Sequence, residues 1–144
     1  MSLWQAFMTV IPSVLVGTII YVITKFILDN LLEQRKVIND IANALIYYSN
    51  IYCASIVNDN LIPPVSDKFR ELSARLSTSV TIIPGYSYLE LFLVVRKADD
   101  IKKASKLLMR ISNSIAPAAG EKVNSHAEKN ELDAKEIEQL LKIT

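Results

Sequence analysis

The stretch SLWQAFMTVIPSVLVGTIIYVIT, residues 2–24, decides the fold: 23 residues carry no charged side chain, and Lys25 and Asp29 then cut the run off. A membrane-spanning helix needs about 20 predominantly apolar residues to cross a hydrocarbon core of roughly 30 Å. Trp4 to Thr24 supplies 21, or about 31 Å at the helical rise of ~1.5 Å per residue. A cleaved secretory signal and a buried core helix are the competing readings. A signal wants a basic start, an apolar stretch of about 7–15 residues and a small-x-small cleavage site, whereas here the start is uncharged and the apolar run passes straight into Lys25 and Phe26. Pro12 would cost a soluble helix about 3 kcal/mol, but in a bilayer neighbouring helices, Thr9 and Ser13 can satisfy the carbonyl it frees.

The basic residues set an expected orientation. Lys25, Arg35 and Lys36 follow the span closely while nothing basic but the α-amino group precedes it, and the positive-inside bias then places the C-terminal part in the cytoplasm. The expectation is an inner-membrane, single-pass protein with its N-terminus outside, divided into an anchor over 1–28 and a cytoplasmic domain over 29–144. A lone Cys53 cannot close an intrachain disulfide and suits a reducing compartment as a small, buried apolar residue.

Three Gly and five Pro in 144 residues leave few turns, no Asn-Gly or Asp-Gly hairpin signal is present, and apolar residues recur at three and four rather than at two. The fold class expected is therefore all-α, the span continuing into a small bundle of four or five helices. Formal net charge is +1, so no bulk field draws nucleic acid to the chain.

Beyond Lys25 the helical pattern continues. Leu28, Leu31, Leu32, Ile38, Ile41, Leu45, Tyr48 and Tyr52 keep one face apolar, to about Val57, where Asn58-Asp59-Asn60 and Pro63-Pro64 supply stop chemistry. Residues 41–58 are long and uncharged enough for a second span, but Asn43, Ser49, Asn50 and Ser55 together with three tyrosines suit a bundle better. Ser66 is expected to cap a second helix with Phe69, Leu72, Leu76 and Val80 inside, ending at Ile83-Pro84-Gly85-Tyr86. Residues 87–95 read as a short helix in preference to a strand. Asp99 or Asp100 opens a helix whose stripe is Ile101, Ala104, Leu107, Leu108, Ile111 and Ile115, stopped at Pro117. Residues 121–144 form a charged terminal helix, with Ser125-x-x-Glu128 at capping-box spacing and Leu132, Ile137, Leu140, Leu141 and Ile143 inward.

The runs IANALIYYSNIY (41–52), IPGY (83–86) and ISNSI (111–115), with the ending Leu140-Leu141-Lys142-Ile143, resemble a group of uncharacterised bacterial single-span membrane proteins with a cytoplasmic helical domain. The resemblance implies the architecture and brings no activity with it.

Three constellations bear on function. Thr9, Ser13 and Gly17 stand four apart, the small-xxx-small spacing that lets a second membrane helix approach closely; chance is the competing reading, since small residues are common in spans. Asn43, Tyr47 and Asn50 make a polar seam, expected to pair within the bundle, with a subunit contact as the alternative. Lys102, Lys103, Lys106 and Arg110 form a basic stripe: foremost a solvated face, next a contact with anionic lipid, and least a nucleic-acid contact, for which no aromatic residue interleaves. One histidine and glycines only at 17, 85 and 120 give no metal site, no Cys-His pair and no phosphate loop.

The chain is thus expected to be non-enzymatic, without cofactor or small-molecule substrate, its partners being the membrane and a second copy or another protein. It is expected to act in assembly or scaffolding. The alternative is an oligomeric pore or membrane-perturbing effector gated by the bundle, against which the uncharged span counts.

Overall fold

The computed structural model describes residues 3–53, 62–92, 94–115 and 126–143, and among them every element is helical. Helix α1 (Leu3–Ile23) runs through Pro12 and passes by a single π-turn, Thr24–Leu28, into α2 (Asp29–Tyr47). In the π-turn the Asp29 N–H reaches back to the Thr24 carbonyl, one residue further than in an α-helix. From Val10 onward this continuous helix contains one apolar, charge-poor window with none of its residues buried, and it is long and apolar enough to span a membrane. Lys25 and Asp29 pair one turn apart at its end (3.3 Å).

The remaining helices are α3 (Ser49–Tyr52), α4 (Ile62–Ile82), α5 (Tyr86–Leu91), α6 (Ala98–Ile115) and α7 (Ala127–Leu141). Helices α2, α4, α6 and α7 form an up-down-up-down bundle, and side-chain bonds show each antiparallel step. Gln34 and Asp40 of α2 meet Ser79 (3.1 Å) and Arg75 (3.3 Å) of α4 in reversed order, and Arg75 also meets Glu33 (2.6 Å). Ser73 and Ser66 of α4 meet Ser105 and Ser112 of α6 in reversed order. Lys103 and Arg110 of α6 meet Glu136 and Asp133 of α7. The core holds Val37, Ile41 and Leu45 of α2, Phe69, Leu72 and Leu76 of α4, the whole predicted stripe of α6, and Ile137 and Leu141 of α7. Tyr48 and Tyr52 present ring edges to Phe69 at centroid distances of 6.1 and 5.8 Å, the geometry that aromatic quadrupoles favour.

Several boundaries differ from expectation. The long helix breaks at Tyr48 (φ −98°, ψ 10°) instead of running on to Val57, while 54–61 lie outside the described residues. The Ser49 hydroxyl donates to the Ile46 carbonyl (2.9 Å) and that of Tyr52 to the Leu45 carbonyl (2.9 Å), so side chains take up carbonyls freed at the break. Helix α4 begins at Ile62, with Pro63 and Pro64 inside its first turn, where a missing N–H costs nothing because it has no intrahelical partner. Ser66 is therefore not a cap. It is buried a turn inside the helix, its hydroxyl donating to the Ser112 carbonyl (3.0 Å). Ser125 lies outside the described residues, and α7 starts after His126 without a side-chain cap bond from that residue. Leu32 and Leu132 face outward, since Gln34 and Val37 take the inner face of α2 and Asn130, Asp133 and Ala134 that of α7.

Candidate interaction surfaces

Three polar clusters tie the bundle together, and all were missed by periodicity. The first is a pair of serine clasps between α4 and α6. Ser66 and Ser112 exchange hydroxyl-to-carbonyl bonds (3.0 and 2.8 Å), and so do Ser73 and Ser105 (2.8 and 2.9 Å). All four are buried, and a side chain of two heavy atoms lets the helices approach closely while every polar atom stays paired. The seven-residue spacing repeated in both helices, Ser66 to Ser73 and Ser105 to Ser112, was the available signal.

The second cluster centres on Gln34, 3% exposed on α2. Its amide donates to Ser79 Oγ (3.1 Å) and Tyr86 Oη (3.1 Å), and Tyr86 in turn donates to the Arg96 carbonyl (2.7 Å). Burial raises the Tyr86 pKa while the Gln34 bond opposes it, so the phenol stays a donor at neutral pH. The third cluster is Asn130, whose amide donates to the Tyr52 carbonyl (2.9 Å) and accepts from Ser114 Oγ (2.6 Å), joining α3, α6 and α7.

The residues singled out from the sequence are distributed differently. Ser13 and Gly17 lie on the open surface of α1, and a Cβ built on Gly17 meets nothing within 4 Å; the side chain of Thr9 lies outside the described ones. Asn43, Tyr47 and Asn50 are exposed, Tyr47 at 79%. They are not paired inside the bundle, because Ile41, Ala44 and Leu45 occupy the inner face and the break at Tyr48 detaches Asn50 from the other two.

The basic stripe is divided. Lys103 pairs with Glu136 (2.5 Å), and Arg110 grips Asp133 through Nε and Nη2, which holds the guanidinium pKa above its usual value. Lys102 and Lys106 are exposed and carry no ion pair among the described residues. The stripe also runs along α6, away from the junction of α1 and α2. Lys102 and Arg110 are separated by about 12 Å at the helical rise.

Cys53 is half-buried against the core and not fully enclosed as expected. Burial pushes its pKa up, Glu131 adds to the shift and Lys135 opposes it, so less thiolate exists at any given pH. Its alkylation by a maleimide at pH 7.5 is expected to be several-fold slower than that of free cysteine and to go on rising with pH beyond the range where the free thiol levels off; a rate equal to that of free cysteine would show the site to be open. Among the described residues no group of three His, Cys, Asp or Glu side chains could hold a metal ion, and no buried side-chain polar atom lacks a partner.

Comparison with family models, with curated proteins and with solved structures returns no match. What the chain does has to be read from its own surfaces.

Proposed function

We propose that this protein is a single-pass inner-membrane anchor, N-terminus outside, whose cytoplasmic bundle acts non-enzymatically in assembly, with the span self-associating through the face that carries Thr9, Ser13 and Gly17. The carrying observation is Gly17. Glycine within a helix costs about 1 kcal/mol relative to alanine, and nothing in the protomer needs it, since the position has ordinary helical backbone and open space where a side chain would go. Close approach of a second helix gives the missing side chain a purpose. The interior supports the same reading: its polar side chains are spent on joining helices, which leaves the outward surfaces to act.

The test is the mass of the detergent-solubilised protein by light scattering, with the detergent contribution subtracted. A discrete oligomer is expected for the native chain. Gly17→Leu should reduce it to the protomer with helix content unchanged, because the added side chain meets no atom of its own chain. An unchanged mass in Gly17→Leu, or a native protomer, sinks the small-residue contact.

A further inference from the structure

We infer that α5 and the residues flanking it form a knuckle that inserts its apolar side chains into the cytoplasmic headgroup layer of the bilayer, giving the bundle a second membrane contact beside the span. Tyr88, Leu91 and Phe92, at 73%, 75% and 75% exposure, lie on one face of this turn of helix, with Ile82 (54%) and Val94 (47%) on either side. Single exposed apolar residues are ordinary, whereas a contiguous cluster on one projection marks a surface that something else covers.

The bundle's topology says what covers it. Helix α4 runs back toward the span, so that Ile82 lines the same cleft as Asn30, while Val94 and Arg96 line another with Leu31 and Arg35. Asn30 stands six residues beyond Thr24, or about 9 Å along the helix, and one headgroup layer occupies about 5–8 Å. The chain passes Ile82 and turns at Gly85, in the left-handed region at φ 68°, at the end of the bundle that faces lipid. Phe26, Leu28 and Leu32 extend the exposed apolar surface of the long helix to the same level, and the Lys25–Asp29 pair neutralises the charges between them.

The knuckle is also held so that it cannot fold inward. Tyr86 is anchored by Gln34 and by the Arg96 carbonyl, and the Glu90 carboxylate accepts the Ala98 N–H at the start of α6 (3.0 Å). Aromatic side chains followed by Arg96 and Lys97 give the chemistry of a lipid interface, with rings at headgroup depth and cations reaching phosphate.

This inference rests on the span reading, and its test separates the two. In a Cys53→Ala background, single cysteines at Ile20, Leu91, Phe92 or Leu132 would be labelled with an environment-sensitive nitrobenzoxadiazole dye and reconstituted into zwitterionic phospholipid vesicles carrying brominated acyl chains. Shallow bromines are expected to quench the dye about two-fold at 91 and 92, the depth of an interfacial helix, deep bromines to quench it at 20, and neither to affect it at 132, exposed on α7. Quenching at 20 with 91 and 92 behaving like 132 overturns the knuckle alone. A blue-shifted but unquenched dye at 91 and 92 also overturns it, by showing a protein cover. Loss of quenching at 20 overturns the anchor itself.

Discussion

Ser112→Leu is expected to lower the stability of the bundle by about 3 kcal/mol, at the upper end of what overpacking costs. Ser112 is fully buried and its hydroxyl donates to Ser66 O (2.8 Å), so the facing backbone is one short side chain away. A leucine has no space there unless α4 and α6 move apart, which would also stretch the clasp between Ser73 and Ser105. Ser112→Ala keeps the close approach and loses one donor, at a cost of about 1 kcal/mol. Denaturant unfolding of the detergent-solubilised protein, followed by helical circular dichroism, measures both. If Ser112→Leu falls within about 0.5 kcal/mol of native, as an indifferent surface substitution does, the clasp is not a close contact.

Arg110→Met should cost about 3 kcal/mol for a different reason. Asp133 is 4% exposed, and both its oxygens are engaged by a guanidinium whose outer side remains half in water. Without Arg110 a carboxylate is left desolvated and uncompensated, and breaking such a pair from one side is far costlier than exchanging both partners for apolar groups. The double variant Arg110→Met, Asp133→Leu is therefore expected to recover most of the loss. A double variant as unstable as the sum of the two single ones would show that the residues act independently and that the pair does not hold α7 to α6.

What could be read from the sequence was whatever depended on neighbours three and four apart. The apolar stripe of α6 was legible residue for residue, because Ile101, Ala104, Leu107, Leu108, Ile111 and Ile115 recur at helical spacing while Lys102, Lys103, Lys106 and Arg110 fall between them. So were the apolar anchor and the short helix after Gly85. The errors arose where a residue's partner is distant in sequence. Ser66 reads as a cap until Ser112 is known to lie against it, 46 residues on. Lys103 and Arg110 read as solvated until α7 places Glu136 and Asp133 beside them. Asn43, Tyr47 and Asn50 form a polar seam that suggested pairing within the bundle, yet the buried amides that join its helices are Gln34 and Asn130, each standing alone among charged neighbours in the sequence. Helix ends misled for a related reason: prolines at 63 and 64 stop a helix that precedes them and equally well start one that contains them.

The π-turn at Thr24–Leu28, which no residue in those five announces, acts as a phase corrector. Twenty-six residues separate Gly17 from Asn43, and in an uninterrupted α-helix the two would point about 80° apart. One inserted residue turns everything downstream back by about 100°, which sets the Gly17 direction between those of Asn43 and Tyr47, about 20° from each. Two chains in parallel, touching at Gly17 within the bilayer, would meet again at Asn43 and Tyr47 some 40 Å further along at ~1.5 Å per residue. The π-turn thereby puts the apolar and the polar ends of one long helix into common azimuth, so that a single rotation about its axis serves both.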